Sequence, residues 1–208
     1  MKRIIGVILL FVMGSAQAAL IDRGGGFIYD DVLDVTWLQD ANYAQTSGFD
    51  PDGRMTWDTA VSWADGLSVY DSVRDVTYDD WRLATTLQPD PSCSSQSGGG
   101  VSFGYDCTGS EMGHLFNVDG ISAGTPGLFT NLQSGYYWSG TEFAPYTYGA
   151  WYFYFYDGYQ YYNVKSNYYY ALAVRSGDVA ASVVPVPAAV WLFGSALAGL
   201  MGFRRVRR

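Results

Sequence analysis

The chain has 208 residues, of which 17% are aromatic and only 15% are charged. Between the two ends, six basic residues stand against 20 acidic ones, so this central part carries a net charge of −14. A field of that sign repels nucleic acid and sulfated polyanions and favours cations, neutral glycans or basic partners. The same charge also helps to keep an exported domain soluble.

The first 18 residues have the pattern of a secretory signal peptide. Positions 2–3 are basic, residues 4–13 form an apolar run, and Ala16-Gln17-Ala18 offers small residues for cleavage. The run is too short for a comfortable membrane span, which takes about 20 residues. The pattern predicts export, with a mature chain that begins at Ala19.

Residues 19–182 have a length that suits one domain. Its opening, "ALIDRGGGFIYDDVLDVTWLQD", predicts short strands joined by turns. The stretch "MTWDTAVSWADGLSV" predicts a helix with Thr56 as N-cap, Asp58 in the first turn and Gly66 at the end. A second, shorter helix is predicted at "GSEMGHLFNV", with Ser110 as its cap.

One tripeptide has the hard oxygen ligands that calcium prefers. Gln88-Pro89-Asp90 resembles the Q-P-D tripeptide with which C-type lectins hold calcium and galactose, so Gln88 and Asp90 are candidate calcium ligands. The companion W-N-D motif is missing, and only Asn117-Val118-Asp119 is similar to it.

Two other acidic groups are interpreted without a metal. Asp50-Pro51-Asp52-Gly53 resembles the middle of an EF-hand loop, but the residues that should begin and close that loop do not match. We interpret it as a turn before the first helix. Asp30, Asp31 and Asp34 are interpreted as part of a solvated loop.

Cys93 and Cys107 are the only cysteines of the chain. An even count in an exported protein predicts a disulfide. The bond would close the Gly- and Ser-rich loop "CSSQSGGGVSFGYDC" and stabilise the fold by about 3 kcal/mol. The alternative, a free catalytic thiol, finds no base placed to activate it.

Tyrosine dominates the C-terminal half, where residues 136–170 contain 13 of the 18 tyrosines. "AWYFYFYDGYQYYNV" predicts a β-hairpin that turns at Asp157-Gly158. The period of two predicts a core face with Trp151, Phe153 and Phe155 and a wetter face with Tyr152, Tyr154 and Tyr156.

The tyrosines of this hairpin are the candidate ligand-binding residues. Rigid amphipathic rings provide contact area at low entropic cost, and they stack on the apolar faces of sugars. The other interpretation is a sheet surface whose rings pair across strands. The candidates are Tyr152, Tyr154, Tyr156, Tyr159, Tyr161 and Tyr162.

Residues 183–208 begin with a proline pair, continue as an apolar run and end in arginines. This tail resembles the PEP-CTERM sorting signal of Gram-negative bacteria, which an exosortase cleaves. The resemblance implies transient insertion into the inner membrane through a hydrophobic helix, and Val186 replaces the glutamate that gives the signal its name. Its residues are Val184, Pro185, Val186, Pro187, Arg204 and Arg205.

Several motifs between residues 20 and 178 resemble the Lcl C-terminal domain family, named after a bacterial collagen-like adhesin. They are "IYDDVLDVTWLQDANYA", "YDDWRLATT", "SEMGHLF", "FTNLQSGYYWSGTEF", "AWYFYFYDG" and "YALAVRSGD". The resemblance implies an α+β, C-type-lectin-like fold with two helices, a small twisted antiparallel sheet and long loops. The adhesin's preference for sulfated glycosaminoglycans does not suit this acidic chain, and we expect Arg82 and Arg175 to make structural ion pairs.

The sequence therefore predicts an exported, non-catalytic binding or adhesion module at the cell surface or in the extracellular matrix of a Gram-negative bacterium. His114 is the only histidine, and no G-x-S-x-G motif or His/Cys metal cluster is present. We expect no cofactor, with calcium left open, no nucleic acid, and exosortase and an extracellular polysaccharide or surface protein as partners. The alternatives are a matrix protein that associates through the tyrosine face and a diverged enzyme of the formylglycine-generating type.

Overall fold

Short β-strands make up most of the described part of the chain, which is residues 20–179 of this computed structural model. The predicted signal peptide and sorting tail lie outside the described residues. The strands of this part are β1 (Leu20–Gly24), β2 (Phe27–Asp30), β3 (Val35–Leu38), β4 (Val69–Asp71), β5 (Val76–Tyr78), β6 (Arg82–Leu83), β7 (Ser95–Ser97), β8 (Val101–Phe103), β9 (Tyr136–Glu142), β10 (Gly149–Tyr154), β11 (Tyr159–Val164), β12 (Tyr170–Ala171) and β13 (Ala173–Ser176).

Both predicted helices are present, and a one-turn helix precedes them. The three helices of the described residues are α1 (Tyr43–Thr46), α2 (Trp57–Asp65) and α3 (Glu111–Asn117). Thr56 is the extended N-cap residue of α2, although its hydroxyl contacts that of Thr59 and not a backbone N–H. Gly66 ends α2 and Ser110 precedes α3, as the sequence predicts.

The strands form two larger sheets and two hairpins. The first sheet has the order β1-β2-β3-β13-β6, and the second has the order β11-β10-β9-β12. Neighbouring strands are antiparallel except for β12, which runs parallel to β9. The hairpins are β4-β5 and β7-β8.

The described residues form two hydrophobic cores, and each of the two larger sheets has one core on each of its faces. Neighbouring residues of a strand point to opposite faces and therefore enter different cores. In β9, Trp138 lies in the first core and Tyr137 in the second, and Phe27 and Ile28 alternate in the same way in β2. Helix α2 packs on the first core and α3 on the second. Each fully buried large side chain contributes about 1.5–3 kcal/mol by leaving water.

The observed class is a small, mostly β domain with few helices, and it contains several sheets where the sequence predicts one small sheet. Strands β4, β5 and β7 carry polar or exposed side chains, so their sequences lack the apolar alternation that identifies a strand. No helix among residues 20–179 has the length and hydrophobicity needed to cross a membrane. The hydrophobic helix predicted in the tail lies outside that range.

Candidate functional site

The predicted hairpin is present and carries most of the candidate tyrosines on one face of the second sheet. Tyr154 of β10 pairs with Tyr136 of β9 on one side and with Tyr159 of β11 on the other. The turn is a four-residue loop and not the predicted two-residue turn. Gly158 N–H donates to the Tyr154 carbonyl at 2.8 Å, with a positive φ of 83° at Gly158 that favours glycine.

We define the tyrosine surface as the five rings Tyr136, Tyr154, Tyr156, Tyr159 and Tyr161. The ring centroids of Tyr136 and Tyr154 are 4.3 Å apart, and those of Tyr154 and Tyr156 are 5.7 Å apart. On the next strand, the centroids of Tyr159 and Tyr161 are 5.9 Å apart. Tyr136 is 39% exposed and Tyr156 is 68% exposed, so the surface is open to solvent.

Most phenol hydroxyls of the tyrosine surface have no hydrogen-bond partner within the described residues. This holds for Tyr136, Tyr154, Tyr156 and Tyr159. By contrast, the hydroxyl of Tyr137 on the opposite face accepts from the Gln133 N–H at 2.8 Å. The tyrosine surface therefore offers apolar ring area together with donors and acceptors that a ligand can use.

Tyr152 is buried, which corrects its predicted place on the wetter face. It is 8% exposed and packs in the first core, 5.1 Å from the Tyr136 ring and 5.4 Å from the Tyr169 ring. Burial, followed by the neighbouring Tyr169, raises the pKa of Tyr152 above its usual range. The first core covers Tyr152 on one face of β10, and its neighbours Trp151 and Phe153 are buried on the other face.

The other face of β10 is core, as predicted. Trp151, Phe153 and Phe155 are all buried. Tyr162 projects to this side, where its ring stacks on Phe143 with the centroids 3.6 Å apart. A hydrogen bond with Tyr161, followed by burial, raises the pKa of Tyr162.

Two aromatic residues of the disulfide loop extend the tyrosine surface. The β7-β8 hairpin reaches β11 through a bridge between Gly104 and Gln160. Tyr105 then lies 5.1 Å from the Tyr159 ring, and Phe103 lies 5.2 Å from the Tyr161 ring. The sequence marks these rings only as aromatic residues between the two cysteines, and nothing local shows that they meet β11.

Gln88 and Asp90 hold the base of the disulfide loop. The Gln88 amide exchanges two hydrogen bonds of 2.8 Å with the Ser102 backbone. The Asp90 carboxylate accepts from the Ser92 N–H and hydroxyl with one oxygen and from the Gly109 N–H with the other. Calcium at these two residues stays a prediction, and an ion would have to displace these bonds.

Cys93 and Cys107 are bonded to each other, in the pairing that the sequence predicts. Beside this loop, Gln88 and Pro89 line a groove of about 450 Å³ whose far wall contains Phe143 and Trp151. The groove lies on the opposite side of the second sheet from the tyrosine surface, because Trp151 and Tyr152 point to opposite faces.

Arg82 and Arg175 have the structural partners expected of them. Arg82 forms a two-pronged ion pair with Glu111 of α3, and Arg175 forms one with Asp80. The Arg175 guanidinium also lies 4.4 Å from the centre of the Tyr78 ring. Neither side chain contributes to the tyrosine surface.

The fold and the site define a small, mostly β domain that presents an aromatic sheet surface. Residues 26–175 match the Lcl C-terminal domain family, and the chain belongs to that family. The matched range includes every ring of the tyrosine surface. No curated protein and no solved structure matches the chain. Family membership fits an extracellular or cell-surface protein.

Proposed function

We propose that this chain is an exported, non-catalytic adhesion module of the exopolysaccharide or biofilm layer, and that its tyrosine surface binds a neutral glycan. The observation that carries the proposal is a set of contacting, solvent-open rings, most of whose hydroxyls have no partner within the described residues. Sugar rings present apolar faces flanked by hydroxyls, and such a surface matches both features.

The charge of the domain supports a neutral ligand. Residues 20–179 contain all 20 acidic side chains and six basic ones. Each of the six basic side chains is already paired with a carboxylate; they are Arg23, Arg54, Arg74, Arg82, Lys165 and Arg175. A polyanionic ligand would find no unpaired cation within the described residues.

Further parts of the proposal concern fold and location. We assign the domain to the C-type-lectin-like class on the strength of its sequence motifs. We also propose a signal peptide at residues 1–18 and a tail at residues 183–208 that an exosortase processes after transient insertion in the inner membrane. The proposed final location is the cell surface or matrix of a Gram-negative bacterium.

The test is binding of the full-length chain to a glycan array and to the neutral exopolysaccharide of its own organism. The double variant Tyr154→Ala/Tyr156→Ala should bind at least 10-fold more weakly, because it removes two adjoining rings of the surface. Tyr146→Ala/Tyr148→Ala is the matched control, since these two exposed rings stack on each other in the β9–β10 loop. Equal loss in both variants, or no glycan bound, would refute the glycan assignment.

Self-association through the same surface is the second candidate, because exposed rings at a sheet face also suit a second copy of the chain. Analytical ultracentrifugation of the same variants separates the two candidates. Concentration-dependent association that disappears in Tyr154→Ala/Tyr156→Ala, without glycan binding, would favour a matrix protein.

Repeating the glycan measurement with chelator tests the calcium prediction at Gln88 and Asp90.

A further inference from the structure

Three titratable side chains meet where the end of β2 approaches the end of α3. Asp30 ends β2, His114 lies in α3, and Asp119 follows α3 by two residues. One ligand atom from each lies within 4.8 Å of the others. His114 Nε2 and the nearer oxygen of Asp119 are 3.8 Å apart, which is too long for a hydrogen bond.

The three side chains are buried, and their facing atoms have no partners. Asp30 is 1% exposed, His114 is 8% exposed, and the Asp119 side chain is 3% exposed. Asp30 Oδ2, His114 Nε2 and both carboxylate oxygens of Asp119 make no hydrogen bond within the described residues. Since buried polar atoms are paired in the great majority of cases, four unpaired atoms in one place form a cluster that can accept an ion.

Backbone hydrogen bonds fix Asp30 in an orientation that leaves one oxygen available. Its Oδ1 accepts from the Val32 N–H at 3.1 Å and the Leu33 N–H at 2.9 Å. Its Oδ2 is the unpaired oxygen. The Asp119 N–H donates to the His114 carbonyl at 3.2 Å, so the end of α3 positions the other two side chains.

The two carboxylates also lack a permanent countercharge. All six basic side chains of residues 20–179 are paired with other acids, and only the imidazole of His114 is near Asp119. Two buried carboxylates without a cation are costly for a folded protein.

We propose that Asp30, His114 and Asp119 form a binding site for one divalent transition-metal cation of the Zn²⁺ type. Imidazole nitrogen with carboxylate oxygens is a ligand set that Zn²⁺ takes, whereas Ca²⁺ and Mg²⁺ prefer oxygen ligands alone. Ligands of a tetrahedral zinc ion lie about 3.4 Å apart, so small side-chain rotations close the present spacing.

The site has a structural role in this proposal. The ion joins the end of β2 to the end of α3 and neutralises both carboxylates. It is separate from the tyrosine surface and from the predicted calcium ligands Gln88 and Asp90, so it stands independently of the proposed function.

The test uses the full-length chain without a polyhistidine tag, stripped with chelator and dialysed at pH 7.5. Calorimetric titration with ZnCl₂ should give one ion per chain, and thermal unfolding should shift upward with zinc. CoCl₂ should give visible absorption bands that report nitrogen and oxygen ligands. Parallel titrations with CaCl₂ and MgCl₂ should show much weaker binding.

Two near-isosteric variants and one control complete the test. His114→Gln and Asp119→Asn should each weaken zinc binding at least 30-fold and abolish the zinc-dependent thermal shift, while far-ultraviolet circular dichroism stays unchanged. Asp79→Asn removes an exposed carboxylate and is the control. It should leave both zinc affinity and the zinc-dependent thermal shift unchanged. Asp30→Asn replaces either variant that does not fold.

Three outcomes would overturn the proposal. The first is no zinc or cobalt binding at micromolar concentration. The second is binding that survives in His114→Gln and Asp119→Asn, which would place the ion elsewhere among the acidic residues. The third is binding of calcium in preference to zinc, which would remove the assignment to a transition metal.

Discussion

Arg74 and Asp71 form an ion pair that is almost closed off from solvent, in the hairpin of β4 and β5. The Arg74 guanidinium donates to Asp71 at 2.5 Å and to the Arg23 carbonyl at 2.7 Å. Burial alone would raise the pKa of Asp71, but the hydrogen bonds from Arg74 and the Val73 N–H outweigh it, and the pKa is lowered. This one pair connects the hairpin to the edge of the first sheet.

We predict that Arg74→Met lowers the free energy of unfolding by about 3 kcal/mol at pH 7, because it leaves a buried carboxylate without its cation. The lowered pKa means that the stability Asp71 contributes is present above the carboxyl's ordinary pKa of 3.8 and is lost as the pH falls through the folded value. The deficit of the variant should therefore shrink at pH 3. Urea unfolding of the wild type and the variant at pH 7 and pH 3 measures this difference in the free energy of unfolding.

Arg54→Met is the matched control for that prediction. Arg54 pairs with Asp52 at 2.6 Å, but both side chains are about half exposed. A pair of this kind contributes about 0–1 kcal/mol. A loss of stability in Arg74→Met that equals the control, or that is independent of pH, would contradict the role given to the buried pair.

Individual residues also show where sequence patterns fail. The period of two places Tyr152 with Tyr154 and Tyr156. Tyr152 and Tyr154 both contact the Tyr136 ring, but the first core buries Tyr152 and Tyr156 lies in the turn. The sequence Asp30-Asp31 suggests a solvated loop, whereas Asp30 is buried against residues more than 80 positions away. Burial of this kind depends on long-range packing that no local pattern contains.

Among the elements, α3 is held very close to the disulfide loop. A Cβ placed on Gly113 would lie 1.9 Å from the carbonyl oxygen of Cys107. That oxygen belongs to the backbone of a loop closed by the disulfide, so it cannot move aside cheaply. Glycine at this position allows α3 to place His114 and Asp119 where they are.

We predict that Gly113→Ala destabilises the fold by about 1–3 kcal/mol, although alanine is the better helix former. The steric overlap with Cys107 should exceed the gain in helix propensity. Thermal unfolding of Gly113→Ala beside Gly98→Ala measures the effect, since a Cβ at Gly98 meets nothing within 4 Å. Equal stability of the two variants would show that the loop yields.

Elements differ in how well the sequence predicts them. The two longer helices are predicted by the residue types at their ends, Thr56, Gly66 and Ser110, although neither Thr56 nor Ser110 makes a side-chain capping hydrogen bond. The hairpin of β10 and β11 follows from its alternation. The hairpin of β7 and β8 does not, because β7 is polar and both strands are short, and the disulfide and the bridge between Gly104 and Gln160 hold the hairpin in place.

For the whole molecule, the distribution of charge decides which polymers can approach. The domain carries 20 acidic and six basic residues, and all six basic side chains are paired. Long-range repulsion of polyanions therefore has no local patch to oppose it.

We predict that the full-length chain passes through a heparin column at about 150 mM salt and pH 7, while an anion exchanger retains it under low salt. A neutral agarose column is the control for interaction with the matrix. Retention on heparin that decreases as salt is added would reveal a basic surface, and would bring sulfated glycans back as ligands.

The place of β13 inside the first sheet, between β3 and β6, has a mechanical consequence. A pull on the residues that follow Val179 enters the domain through β13, which pairs with β3 on one side and β6 on the other. Antiparallel hydrogen bonds run perpendicular to the strands, so tension along β13 loads both ladders together in shear. A pull from the other end reaches the edge strand β1, which has a ladder on one side only. We therefore expect force applied from the C-terminal side to meet more resistance than force applied from the N-terminal side.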